Sequence, residues 1–279
     1  MYRLVIQAPE IATQNLKQLA RLSGAHSIEA IHQQAFRLQG ADIANEEAVA
    51  DFCESNQLDF AFIPEDCSVR DIGLVVMDMD STLITIECID EIADMQGIKA
   101  EVSAITASAM RGEIDFKESL SRRVALLAGL DESALERVYT ERLKLMPGAE
   151  AMLKGFHDAG AKTLLISGGF TFFTEKLQAK LGLTRTIANI LEIENGKLTG
   201  KVTGDIVDAE RKKSELIKYR AELGLRADQV VAMGDGANDL PMLKEAGFGV
   251  ACHAKPLVQR EAPYCINQVG LDGVLNYFI

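Results

Sequence analysis

Five cysteines among 279 residues, Cys53, Cys67, Cys88, Cys252 and Cys265, are too few and too scattered to cross-link this chain. Their number is odd and none forms a CxxC pair, which argues against both a disulfide framework and a zinc site. The four histidines, His26, His32, His157 and His253, show no metal-ligand spacing either and read as surface or packed residues. Positive charge is also short: 29 Lys and Arg stand against 41 Asp and Glu, a net charge of -12. Without a basic surplus there are no counterions to release from phosphates, so nucleic acid is excluded as a partner. The same balance repels small phosphorylated compounds, and a site for one would need a local positive device. Neither G-x-G-x-x-G nor G-x-x-x-x-G-K-[ST] occurs, which argues against a nucleotide-binding module. The opening MYRLVIQAPEIATQ is too short and too polar for a signal peptide or a spanning helix. The expectation is a soluble cytoplasmic protein with no membrane partner. No solenoid repeat or low-complexity tract is present.

What is there can build a sizeable core, with 48% hydrophobic and 25% charged residues. The length suits one large domain plus a smaller one. YRLVIQ (2–7) and LDFAFIP (58–64) read as strands, and ATQNLKQLARLS and NEEAVADFCESNQ between them as helices. HSIEAIHQQAFRLQG alternates and suits one or two strands. PEDCSVRDIG (64–73) reads as a linker. Beyond it, LVVMDMD, GAKTLLISGG, DQVVAMGDG, GFGVAC and YCIN are apolar strand candidates separated by helices, with Pro241 in a first helical turn. That pattern predicts a parallel sheet covered on both faces, with ligands at the carboxyl ends of its strands. Residues 89–143 are helical by periodicity and read as an insertion over that edge. NILEIENGKLTGKVTGD (189–205) carries NG between alternating runs, a hairpin signal.

The chemistry concentrates at strand ends. Residues 75–83 read VVMDMDSTL, and a buried unpaired carboxylate there costs on the order of several kcal/mol. Asp78 and Asp80, two apart, start in similar directions, although a polar strand end feeding a helix cap would also account for them. GDGAND (234–239) follows another apolar strand and adds Asp235 and Asp239; seen alone it is an Asp-Gly turn with an N-cap. If the two strands are neighbours, up to four carboxylates converge. They would need a cation, and all-oxygen ligands favour a hard ion such as Mg²⁺. SGGF (167–170) offers Ser167 and the amides beyond it between a strand and a helix, a phosphate cradle or an ordinary glycine turn. RKK (211–213), just before the helix SELIKYRAELG, supplies a lysine for a carboxylate-lined phosphate site, or a solvated surface. Together these parts suit phosphoryl transfer. One carboxylate attacks phosphorus while Mg²⁺, lysine and amides stabilise the spread charge. A second, kept protonated by like-charge repulsion, serves as acid and then as base.

DMDST, SGG, a lysine and GDGAND, in this order, resemble the haloacid dehalogenase-like phosphatase superfamily, from about residue 73 to near the C-terminus. The resemblance implies an α/β fold: a HAD-like Rossmannoid parallel sheet with a helical cap, plus a small N-terminal α+β, ACT-like domain. The implied domains are 1–70 and 71–279, with the cap inserted at about 88–145. It further implies that Asp78 is the nucleophile and a Mg²⁺ ligand, and that Asp80 is the general acid/base and binds Mg²⁺ through its carbonyl. Ser167 and Gly168 would hold phosphoryl oxygens, Asp235 would ligate Mg²⁺, Asn238 would help hold the phosphoryl or substrate end, and Asp239 would support the metal shell. Lys212 is the phosphate-site lysine by its spacing to GDGAND, with Lys213 as the alternative. Glu87 matches the residue that receives a substrate ammonium, Arg123 the one that clamps its carboxylate, and Phe116 the aromatic that closes over it. A zwitterion needs one anion and one bidentate cation, which arginine supplies better than lysine. The implied substrate is O-phospho-L-serine, cleaved through an aspartyl-phosphate in the last step of serine biosynthesis. The alternatives are another small phosphorylated amino acid or a non-enzymatic receiver module, which lacks so long a helical insertion. The N-terminal module is expected to associate copies of the chain, as a homodimer, with serine sensing as its alternative role.

Overall fold

The computed structural model describes residues 2–279. The first sheet contains β1 (Tyr2–Gln7), β2 (Ser27–His32), β3 (Ala35–Ala41) and β4 (Asp59–Pro64), in the order β2-β3-β1-β4, with every pair antiparallel. HSIEAIHQQAFRLQG is thus two strands. Helices α1 (Thr13–Ser23) and α2 (Glu46–Ser55) supply Leu16, Leu19, Val49 and Cys53, which pack with Leu4, Ile6, Leu38 and Phe62 of the sheet. The alternate residues of β1 and β4 are buried as well, although several are polar. Arg3 is 1% exposed and donates to the carbonyls of Glu65 (2.9 Å), Cys67 (2.6 Å) and Tyr277 (2.7 Å). Asp59 accepts the amides of Asn267 (2.8 Å), Gln268 (2.8 Å) and Val269 (3.3 Å). Arg37 donates to the carbonyls of Asn276 and Phe278. These groups clasp the chain's C-terminal segment, in a compact unit that runs up to Val75 and includes Pro147–Lys162 and Arg220–Ile279.

A seven-stranded sheet is built from β5 (Leu74–Met77), β6 (Lys162–Phe170), β7 (Arg185–Glu194), β8 (Lys197–Thr203), β9 (Val230–Gly234), β10 (Phe248–Cys252) and β11 (Tyr264–Ile266). Its order is β11-β10-β9-β5-β6-β7-β8. β9, β10 and β11 are successive parallel neighbours, as are β6 and β7. All four residues of β5 are buried, the mark of a strand covered on both faces. β7 and β8 form the expected hairpin, with Asn195 (φ 52) and Gly196 (φ 76) both left-handed, as a two-residue NG turn requires.

The second compact unit is Val76–Met146 with Thr163–Tyr219. Residues 88–142 hold helices joined by short turns: α3 (Cys88–Met95), α4 (Lys99–Met110), α5 (Phe116–Ala125), α6 (Ser133–Arg137) and a wide turn at Val138–Arg142. The insertion is strapped to the hairpin by main-chain bonds from Gly129 N to Leu198 O (2.8 Å), Leu198 N to Leu130 O (2.8 Å) and Glu132 N to Gly196 O (2.9 Å). The remaining helices are α7 (Ala149–Asp158), α8 (Thr171–Leu181), α9 (Ala209–Glu222), α10 (Leu240–Leu243) and α11 (Pro256–Glu261).

Two local expectations are corrected. SGGF is no turn between strand and helix but the end of β6, and helix α8 starts only at Thr171. RKK does not precede its helix but lies inside α9. The Asp208 carboxylate accepts the Arg211 amide (2.9 Å) in the manner of an N-cap, so the helix begins earlier than the basic run suggests.

Candidate functional site

The chain leaves β5 at Met77, and Asp78 turns it by accepting the amide of Met79 on its own Oδ1 (2.7 Å). An irregular wide turn follows, broken at Asp80 (φ -64, ψ 133) and Ser81 (φ 55, ψ 2). Left-handed backbone is uncommon outside glycine, and here the surroundings hold it. The Ser81 amide donates to Ile86 O (3.2 Å) and its hydroxyl to Glu87 Oε1 (2.7 Å). The loop therefore closes on itself and brings Cys88 N–H onto Asp80 Oδ1 (3.0 Å). Glu87 is exposed and Asp80 half-buried.

Asp78 is 7% exposed and Lys212 1%, and Lys212 Nζ lies 2.8 Å from Asp78 Oδ2. An ion pair this deep stands only when geometry and further partners offset its desolvation. The neighbouring Lys213 is half-buried. Desolvation pushes the Asp80 carboxyl up to about 7, with the Glu87 charge adding to the push; hydrogen bonds from Cys88 and the Lys212 charge oppose it. Arg123 is half-buried, and burial lowers its pKa while the carboxylates of Asp90, Glu87 and Asp80 act the other way. It sits seven residues after Phe116 on α5, so the two share a helix face.

Ser167, Gly168 and Gly169 leave the β6–β7 ladder together. The register passes from Ile166 opposite Ile187 to Phe170 opposite Asn189, four steps on one strand against two on the other. The surplus residues arch out, as a bulge does to re-aim a backbone. The Ser167 hydroxyl, on a side chain buried to 1% exposure, accepts the Gly169 amide (2.8 Å). A Cβ on Gly169 would lie 2.7 Å from Asp80 Oδ2 and 2.8 Å from Met79 Cε, so a larger residue there would have to displace the Asp80 carboxylate or the Met79 side chain. Phe116 stands over the arch, its Cζ 3.0 Å from where a Gly168 Cβ would be. Asp78, Asp80, Glu87, Phe116, Arg123, Ser167, Gly168 and Lys212 all belong to one compact unit.

GDGAND belongs to the other unit. It leaves β9 at Gly234 and closes tightly, with the Gly236 amide donating to Asp239 Oδ2 (3.0 Å) and the Asp239 amide to Gly236 O (3.0 Å). Asp239 is fully buried, Asp235 and Asn238 are half-buried, and Pro241 sits in the first turn of α10. Asp235 and Asp239 bring two carboxylates to this one turn, an acidic pair that could hold a metal ion. The donors are all hard oxygens, which suits a divalent cation of the Mg²⁺ or Ca²⁺ kind.

Sequence reasoning missed three residues that shape the site. The doubled glycine carried a signal for Gly169, and the run DMDST one for Ser81. Asn189 carried none, being a single polar residue in an alternating strand.

A family model described as haloacid dehalogenase-like hydrolase matches residues 72–247, and a model of a domain of unknown function matches residues 4–49. The chain is 53% identical over 216 residues to a phosphoserine phosphatase of Polaromonas sp., covering 76% of this chain and 92% of that one. Its structure is similar to that of a HAD-family hydrolase from Salmonella enterica serovar Typhi, with TM-score 0.90, 31% identity, and 99% and 98% of the two chains covered. A probable phosphoserine phosphatase from Vibrio cholerae, in unliganded form, matches with TM-score 0.84, 34% identity, and 99% and 85% covered. No described helix is long and apolar enough to cross a membrane.

Proposed function

The chain belongs to the haloacid dehalogenase-like hydrolase family, and on that premise we propose that it hydrolyses O-phospho-L-serine to L-serine and phosphate through a phosphorylated Asp78. The observation that carries this reading is the buried Asp78–Lys212 pair beside an arch of main-chain groups at Ser167–Gly169. Asp78 attacks phosphorus, and the P–O bond to the serine oxygen breaks. Asp80, held by the Cys88 amide, gives that oxygen its proton. Now a carboxylate, Asp80 takes a proton from the water that cleaves the acyl phosphate, which restores Asp78. Lys212, Ser167 and Gly168 hold the phosphoryl oxygens as charge spreads over them, and Asn238 helps at the phosphoryl or substrate end. Asp78, Asp235 and the Asp80 carbonyl would hold a Mg²⁺ ion, with Asp239 supporting the shell, and the ion would supply Lewis acidity against that charge.

Two charges support the amino-acid end: Glu87, oriented by Ser81, receives the ammonium, and Arg123 clamps the carboxylate. Phe116 closes over the substrate from the first residue of α5. The helical stretch at about 88–145 acts as a cap on a phosphatase domain of residues 71–279. Residues 1–70 form the association module: β2 lies at the free edge of its sheet with mostly exposed residues, which suits pairing with a second copy. Five free cysteines suit a reducing, cytoplasmic setting.

The test is phosphate release from a panel of phosphorylated amino acids, with and without Mg²⁺. Phosphoserine should lead the panel, and turnover should vanish without a divalent ion. Arg123→Ala should cost about 10²-fold on phosphoserine and leave an ester without an amino-acid end unaffected. Equal losses on both would refute the clamp.

A further inference from the structure

One buried amide bridges the two elements that hold the phosphoryl group in the reading above. Asn189, on β7, is 2% exposed. Its Nδ2 donates to Gly168 O (2.7 Å) and its Oδ1 accepts the amide of Val207 (2.8 Å). It occupies the register position where β7 rejoins β6 after the Ser167–Gly169 arch. The side chain therefore supplies the arch with a donor that the interrupted ladder does not. Its other end holds the residue just before Asp208, whose carboxylate caps the helix carrying Lys212. Val207 O also lies 3.6 Å from where a Gly168 Cβ would be, so arch and helix start are packed together at this point.

We propose that Asn189 is a positioning residue for phosphoryl transfer: its amide fixes the Gly168 arch relative to the helix of Lys212, so both face the phosphoryl group together. It touches no substrate and acts through the groups it holds. Displacement of such groups by about 1 Å costs on the order of 10²-fold in rate. The assignment rests on the phosphatase reading, so its test uses substrates that separate the two.

The experiment compares Asn189→Leu and Asn189→Asp with the wild type on phosphoserine and on p-nitrophenyl phosphate, together with inhibition by orthovanadate. Asn189→Leu should lose about 10²-fold in kcat on both substrates by the same factor, with KM for phosphoserine within about twofold. Orthovanadate inhibition should weaken in parallel. In Asn189→Asp a protonated carboxyl can still donate to Gly168 O while it accepts from Val207, whereas a carboxylate faces that carbonyl with like charge. The deficit of this variant, taken as a ratio to wild type at each pH so that Asp78, Asp80 and Lys212 cancel, should therefore shrink as pH falls from 8 to 5. A folded variant with kcat within about twofold of wild type overturns the assignment. So does a loss confined to phosphoserine, or a deficit in Asn189→Asp that ignores pH. If Asn189→Leu fails to fold, the pH series on Asn189→Asp decides. Should the wild type cleave p-nitrophenyl phosphate and ignore phosphoserine, the substrate reading fails while the ester and vanadate comparisons still judge Asn189.

Discussion

Two regions of this chain bury charge, and they satisfy it in opposite ways. At the end of β5, Asp78 meets Lys212, one side chain against another. On the back of the small sheet, Arg3 and Asp59 are as deeply buried, but their partners are main-chain groups: three carbonyls for the arginine, three amides for the aspartate. Asp78 Oδ1 also accepts the Met79 amide, but its Oδ2 meets a side chain, and a contact between two side chains can be reshaped when a dianion arrives. Carbonyls and amides of a packed segment cannot move without unfolding it. The first arrangement suits chemistry and the second suits anchoring.

The sharpest way to break that contrast is at Asp78. Asp78→Asn should fold and yet lose at least about 10⁴-fold in turnover, with no phosphoenzyme trapped by acid quench of labelled substrate. Wild-type turnover in that variant would end the assignment of the nucleophile. Arg3→Met should do the reverse. It leaves three carbonyls, one buried and two partly buried, short of a donor and should lower unfolding free energy by about 3 kcal/mol in urea titration, with kcat at 25 °C unchanged. An activity loss in a protein still fully folded would show that the clasp also serves the chemistry.

The smallest effect concerns pH. Burial pushes the Asp59 carboxyl from an ordinary value of 3.8 up to about 6, against the pull of its three amide donors. Between those values the native state binds the proton more tightly than the unfolded chain does. Its contribution to stability is thus complete below about pH 4 and is lost as pH rises through about 6, a change on the order of 2–3 kcal/mol. Asp59→Asn should remove this slope from a plot of unfolding free energy against pH, and an unchanged slope between pH 4 and 6 would assign it elsewhere.

Strand ends, the NG hairpin and the helical insertion were legible because each rests on a local rule: period, turn chemistry or an aspartate closing an apolar run. The Ser167–Gly169 arch was legible in composition but not in shape, since its geometry depends on the register of β7, which no local pattern encodes. Arg3 reads from its strand position as a solvent-facing residue, and it is Glu65 and Cys67 together with Tyr277, all distant in sequence, that receive its guanidinium. Asn189 was silent for the same reason: its partners lie 21 and 18 positions away, at Gly168 and Val207. Polar residues satisfied by distant backbone leave no periodic trace.

The strap between the β7–β8 hairpin and residues 129–132 has a consequence for motion. Any displacement of the insertion must either break those three bonds or carry the hairpin with it. The strand bearing Asn189 pairs with β6 on one edge and β8 on the other, so the hairpin ties the insertion to the main sheet.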